Sequence, residues 1–79
     1  MNQARRNRLS SALDLLGRAE SIIDQVCEEE RDSVGNMPEN LERSDQYAAM
    51  EEAVSHLEDA IDDIRSAEGS VNGAMSARR

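Results

Sequence analysis

Six carboxylates in one short stretch are the first candidates for chemistry in this chain. Paired carboxylates can hold Mg²⁺ between helices, but only where they point into the bundle. The helical spacing places five of the six on the outer face of a helix, with Asp63 at the edge of its apolar side. We therefore expect no metal site and no cofactor. The set, called the acidic row below, is Glu51, Glu52, Glu58, Asp59, Asp62 and Asp63.

Nucleophilic catalysis is also disfavoured. It needs a nucleophile that faces a general base, and the single histidine, His56, has Ser55 as its sequence neighbour. Consecutive residues on a helix do not face each other. The four glycines are scattered and form no phosphate-binding loop. We expect that the protein is not an enzyme.

The charge distribution favours a basic protein as partner. The formal net charge is −8, and all 17 acidic residues lie between Asp14 and Glu68. Such a surface repels nucleic acid and anionic membrane, and the single aromatic residue, Tyr47, offers little for base stacking. We expect neither direct nucleic-acid binding nor membrane binding. A second acidic cluster, also a candidate for partner binding, consists of Glu28, Glu29, Glu30 and Asp32.

The spacing of the acidic residues resembles that of phosphates. From Asp45 to Glu68 the carboxylates average roughly one per 4.5 Å of helix at 1.5 Å rise per residue, against about 3.4 Å per phosphate along one DNA strand. Few arginines oppose them, so the row is poorly compensated. A charge run of this kind is also typical of a helix face that is merely solvated.

The elements that carry these residues are two helices. Apolar residues recur at steps of three and four in two stretches of the chain, which places each set on one side of a helix. We predict an all-α, antiparallel two-helix hairpin with a coiled-coil-like, alanine-rich seam. The predicted seam comprises Leu9, Ala12, Leu16, Ala19, Ile23 and Val26, paired with Met50, Ala53, Leu57, Ala60, Ile64 and Ala67.

The predicted boundaries follow from helix start and stop residues. The whole chain, 1–79, is a single domain: helix 1 spans about 5–33, a Pro loop 35–43, helix 2 about 44–68, and a frayed tail 69–79. Gly35 and Asn36 suit a helix end, and Pro38 prevents continuation. Pro38 also suits the start of one short helical turn through Leu41. Ser44 is a good N-cap for the second helix.

The apolar surface is wider than one seam requires, which favours self-association. A two-helix seam uses two positions in seven, whereas a helix in a bundle uses about three. We expect dimerisation into a four-helix bundle, with a groove on another protein as the alternative cover. The extra residues assigned to self-association are Leu13, Leu15, Ile22, Val54 and Ile61.

The single cysteine indicates the compartment. Cys27 cannot form an internal disulfide, and its apolar neighbours predict a small buried thiol in a reducing environment. The polar, basic start of the chain does not resemble a secretory signal, and no apolar run has membrane-spanning length. We expect a cytoplasmic protein.

The loop and the start of the second helix resemble a loose, uncharacterised group of short acidic proteins from bacteria, phages and mobile elements. The residues that carry the likeness are Asn36-Met37-Pro38-Glu39-Asn40-Leu41, then Ser44, Tyr47, Met50-Glu51-Glu52-Ala53 and Leu57-Glu58-Asp59-Ala60-Ile61. The likeness covers about Leu9 to Arg65. It implies no functional residues, only a genomic setting in which small proteins often bind and block host machinery.

These observations lead to two functional hypotheses. The first is a non-catalytic protein-binding module, specifically an acidic phage-type inhibitor. Its acidic row would occupy the basic groove of a nucleic-acid-binding host protein, as an anti-CRISPR-like decoy. The alternative is a structural or assembly protein that works as a homo-oligomer through its apolar stripe.

Overall fold

Two long antiparallel helices make up most of the described chain. The computed structural model describes residues 1–41 and 44–77, in which α1 spans Gln3–Gly35 and α2 spans Asp45–Ser76. The molecule measures 61 × 17 × 13 Å with a radius of gyration of 17.9 Å. A compact domain of this length would have about 12 Å. The predicted all-α helical hairpin is confirmed, and it is a rod with one layer of contact between its helices.

The helix ends follow the predicted capping residues. Ser44 caps α2 by accepting a hydrogen bond from the Tyr47 backbone N–H at 3.1 Å. At the end of α1, the Asn36 N–H donates to the Asp32 carbonyl at 3.0 Å. A single turn of 3₁₀ helix, Glu39–Leu41, follows Pro38 as predicted. The predicted loop, 35–43, includes residues 42 and 43, which lie outside the described residues.

The seam between the helices follows a strict alternation of steps of three and four. Cys27, with no exposed surface, and Ile61, 6% exposed, are its buried centre. The other members are half-buried. On α1 the seam consists of Arg6, Leu9, Leu13, Leu16, Glu20, Ile23, Cys27, Glu30 and Val34, and on α2 of Tyr47, Met50, Val54, Leu57, Ile61, Ile64, Glu68, Val71 and Met75.

The predicted seam is wrong at two of its twelve positions, Val26 and Ala67, which are exposed. The six large residues from Leu9 to Ile64 lie in the seam, and the other four predicted positions, Ala12, Ala19, Ala53 and Ala60, are half-buried along one edge of it. Each helix is rotated so that the residue after the alanine faces the partner: Leu13 rather than Ala12, and Cys27 rather than Val26. This orientation of the helices is favoured because burial of Leu13, Val54 and Ile61 removes more apolar surface from water than burial of alanine does. The rotation also brings Glu20 and Glu68 into the seam.

The prediction that Gly69 and Ser70 end the second helix, leaving a frayed tail at 69–79, is also wrong. Helix α2 continues through both residues to Ser76. Val71 and Met75 lie half-buried in the seam beyond them. The Arg6 Nε donates to the Met75 carbonyl at 3.2 Å, which links the two chain ends. Packing against the first turns of α1 outweighs the cost of roughly 1 kcal/mol for each helical glycine.

Candidate protein-binding surfaces

The two flanks of the seam differ in chemistry. One flank, called the charged flank, carries ion pairs between the helices. Arg31 lies 3.3 Å from a Glu58 carboxylate oxygen, and Arg65 lies 3.3 Å from Glu20. A shallow groove of about 220 Å³ runs between them, and its lining comprises Asp24, Arg31, Glu58, Ile61, Asp62 and Arg65. The two arginines of this flank are each balanced by a carboxylate of the other helix, whereas Asp24 and Asp62 have no ion pair within the described residues.

The opposite flank, called the alanine flank, carries no charged side chain between Ala12 and Val26 on α1 or between Ala53 and Ala74 on α2. In an antiparallel pair of helices, the position just before every second seam residue on one helix lies beside the same position on the other. In the middle of the hairpin these positions are Ala12, Ala19 and Val26 on α1, and Ala53, Ala60, Ala67 and Ala74 on α2, and Arg5, Ser33 and Gln46 continue the flank towards the two ends. Four of the alanines are half-buried, whereas the corresponding positions of the charged flank are all exposed. The hairpin is therefore a rod with one polar and one apolar long side.

All six members of the acidic row are exposed. Glu58 pairs with Arg31, and Glu52 lies 3.5 Å from the exposed His56 ring. Within residues 1–41 and 44–77, the carboxylates of Glu51, Asp59, Asp62 and Asp63 have no ion pair. No group of three metal-ligating side chains in this part of the chain could hold a metal ion. The row is thus an open line of partly uncompensated negative charge.

The second acidic cluster is divided by the fold. Glu28 pairs with Arg31 within α1, and Glu29 and Asp32 are exposed. Glu30 occupies a half-buried seam position at the loop end of the hairpin. The other three carboxylates therefore face solvent on the outer side of α1, and Arg31 lies between Glu28 and Glu58 of the acidic row.

The structure also divides the five residues assigned to self-association. Leu13, Val54 and Ile61 lie in the seam and are used within the hairpin, so their predicted position on an outer stripe is wrong. Leu15 and Ile22 lie outside it and remain 63% and 61% exposed. Val26, 43% exposed, was missed because it had been placed in the seam. Leu15, Ile22 and Val26 are large apolar residues that each stand one position before a seam residue of α1. This regular spacing is visible in the sequence.

Two glutamates meet in the seam, a feature that the sequence pattern did not predict. Glu20 and Glu68 approach each other across the helices, with Arg65 beside Glu20. A hydrogen bond to the Glu20 carboxylate, followed by partial burial and the negative charge of Glu20, raises the pKa of Glu68 above its ordinary value of 4.5, while Arg65 opposes this shift. Protonation of Glu68 relieves the repulsion between the two carboxylates, so acidification favours the folded hairpin at this point.

Glu68→Gln is expected to stabilise the hairpin at pH 7, with a gain that shrinks as the pH falls. Because the folded pKa of Glu68 is raised, its stabilisation is complete below about 4.5 and is lost as the pH rises through the folded value. Glutamine keeps a hydrogen-bond donor at every pH. Urea unfolding between pH 4.5 and 7.5 measures the difference, with Glu51→Gln on the exposed row as the control. A difference between Glu68→Gln and wild type that does not vary with pH would contradict the coupling.

Two isolated residues behave as predicted. The Cys27 thiol is free and buried, with its Sγ 4.0 Å from the Val54 carbonyl oxygen. His56 is an exposed side chain on α2.

A hydrogen bond to Glu58 raises the pKa of Arg31 further above its ordinary value, so this guanidinium stays charged at any working pH. None of these groups combines a nucleophile with a base.

Comparison of the chain with protein-family models, curated proteins and solved structures finds no match. Within residues 1–41 and 44–77, neither helix has an apolar stretch long enough to cross a membrane. The two long sides of the hairpin, one charged and one apolar, are its candidate binding surfaces.

Proposed function

We propose that the protein is a non-catalytic binding module whose acidic row occupies the basic groove of a nucleic-acid-binding protein. The observation that carries the proposal is the open line of carboxylates on α2, four of which have no ion pair within the described residues. Helices whose surface charges serve only solubility tend to alternate acidic and basic residues. Asp59, Asp62 and Asp63 repel one another, and a basic partner would relieve that repulsion.

The shape of the module supports this use. Helix α2 holds the row on a continuous 32-residue helix, so the carboxylates keep their spacing without a conformational change on binding. A preordered row avoids the entropy cost of arranging flexible side chains and segments at the moment of binding. The setting that we propose is the cytoplasm of a bacterial host, where a phage-type inhibitor would meet such a partner.

The test is reversal of two unpaired carboxylates, Asp59→Lys with Asp62→Lys. Tagged wild-type and variant proteins are used to capture partners from nuclease-treated bacterial lysate, with elution by a salt gradient. We expect the wild type to retain a nucleic-acid-binding protein that elutes at high salt and is displaced by an added DNA duplex. The double variant is expected to lose at least ten-fold of that capture, with its helicity unchanged.

The matched control makes the same change in net charge elsewhere. Asp14→Lys with Glu39→Lys alters two exposed carboxylates outside the acidic row and the second acidic cluster. This control is expected to keep the partner. Equal loss in both variants would mean that net charge, and not the row, attracts the partner. Retention by the row variant, or a partner that DNA does not displace, would contradict the decoy.

A second candidate is an assembly protein that works as a homo-oligomer through its apolar side. The observation that favours it is the exposure of Leu15 and Ile22, 63% and 61%, beside the alanine flank. Large apolar side chains grouped on one side of a small rod mark an interaction surface more often than single scattered ones do. In this function Leu15→Glu or Ile22→Glu abolishes assembly, and the reversals Asp59→Lys and Asp62→Lys have no effect.

A further inference from the structure

We infer that the alanine flank, together with Leu15 and Ile22, is the docking site for a second copy of this chain, with α1 of each copy against α2 of the other. The inference rests on the second candidate function and, apart from Asp63 at the edge of the surface, does not involve the acidic row. The docking surface is called the apolar face below. Its members are Ala12, Leu15, Ala19, Ile22 and Val26 on α1, and Ala53, Ala60, Ala67 and Ala74 on α2.

The apolar face differs from the rest of the chain in its charge. Between Arg8 and Val26 the positions on this side of α1 carry no carboxylate, whereas Asp14, Glu20 and Asp24 of the same span lie on its other sides. The positions around the stripe are Arg8, Ser11, Arg18 and Gln25. A face selected only for solubility in so acidic a protein would carry acidic residues here as well. Their exclusion indicates a surface that becomes covered.

The size of the face suits a pair of hairpins. The accessible surface of the chain is 5999 Å², whereas a compact protein of this mass would expose about 4,800 Å². From Ala53 to Ala74 the face is roughly 32 Å long at 1.5 Å per residue, and the molecule is 17 Å wide. Pairing two such faces would cover about 1,000 Å² in total, which reaches the lower limit for a specific interface.

The side chains of the face are suited to packing helix on helix. Alanines on both helices allow a second pair of helices to approach closely, and the larger Leu15 and Ile22 fill the space between them. Only two residues of the described chain are buried, so a single hairpin has a thin core. A second hairpin laid on the apolar face gives a four-helix bundle of two layers with the charged flanks still in water.

Charge decides between the two ways of stacking the copies. The α1 edge of the face carries Arg18, and the α2 edge carries Asp63. The Glu20–Arg65 contact shows that these two positions lie at nearly the same level of the rod. If α1 lay on the partner's α1, arginine would face arginine and aspartate would face aspartate. If α1 lies on the partner's α2, each Arg18 comes within about one helical turn of the partner's Asp63.

The first experiment measures mass in solution by sedimentation equilibrium from 1 µM to 1 mM. We expect the wild type to reach twice its 8.8 kDa. Leu15→Glu and Ile22→Glu are expected to weaken pairing at least 100-fold while circular dichroism stays helical. Ser21→Glu, which adds the same charge at an exposed position off the face, is expected to leave pairing unchanged. A wild type that remains monomeric to 1 mM, or that forms larger species, would overturn the inference.

The second experiment tests the orientation without touching an apolar residue. Arg18→Asp and Asp63→Arg are each expected to weaken pairing about ten-fold by placing like charges together. The double variant is expected to regain most of the loss, because the exchanged charges attract again. A double variant weaker than either single variant would overturn the orientation of α1 on the partner's α2. Failure of these tests leaves the acidic row untouched, since capture by the row is read separately with Asp59→Lys and Asp62→Lys.

Discussion

Replacement of Ile61 by alanine is expected to produce the largest loss of stability of any single truncation in the chain. Ile61 is 6% exposed and lies at the centre of the seam, one of only two buried side chains among the described residues. Truncation of a buried isoleucine costs about 2–5 kcal/mol through lost burial and the cavity that remains. A hairpin with a core this small has little stability in reserve.

The control for this prediction is the same truncation on the outer surface, Ile22→Ala. Ile22 is 61% exposed, so in a lone hairpin its truncation is expected to cost less than about 0.5 kcal/mol. Urea unfolding followed by circular dichroism at low micromolar concentration measures both variants. Equal losses would contradict the observed seam, since the two isoleucines differ only in where the fold places them. If the loss of stability caused by Ile22→Ala grows with protein concentration, the cause would be weaker pairing between hairpins.

The second large effect is a gain in stability. Replacement of Gly17, Gly69 and Gly73 together by alanine is expected to stabilise the hairpin by about 2–3 kcal/mol. All three lie within helices with negative φ, and a Cβ at each position would meet nothing within 4 Å. For a domain of this size the gain corresponds to a rise of about 10–20 °C in Tm.

The same series tests how far α2 extends. Gly35→Ala, at the last residue of α1, is the control and is expected to gain little because the helix ends there. Gly17→Ala alone is expected to raise the free energy of unfolding by about 1 kcal/mol. If Gly69→Ala and Gly73→Ala add nothing to it, the segment after Gly69 does not pack as helix against α1. An additive gain would confirm the extended α2 in solution.

Several features could be predicted from the sequence because their causes are local. The helix ends at Ser44 and Gly35 follow from local backbone chemistry, since a serine hydroxyl satisfies a free N–H and Pro38 cannot continue a helix. The burial of Cys27 follows from its apolar neighbours. The exposure of the acidic row follows from the cost of burying a charge. Each of these depends on a few residues near one another in the chain.

The seam and the end of α2 could not be predicted in the same way. The apolar pattern fits two adjacent stripes on α1, one through Leu13 and Cys27 and one through Ala12 and Val26, and local spacing does not choose between them. The choice depends on the total area that both helices bury together. The two carboxylates in the seam, Glu20 and Glu68, argue against the observed stripe when each helix is considered alone. They are tolerated because Arg65, which pairs with Glu20, offsets part of their repulsion.

The sequence by itself determined that the chain forms two helices, where they are capped, and that they turn back on each other at Pro38. These features are local, and their free energies come from residues within one or two turns. Only the tertiary structure decided which side of each helix is used inside the hairpin, how far α2 continues, and which side is left free. Those choices come from long-range packing, in which Ile61 is buried, Leu13 and Val54 are half-buried, and Leu15 and Ile22 remain exposed.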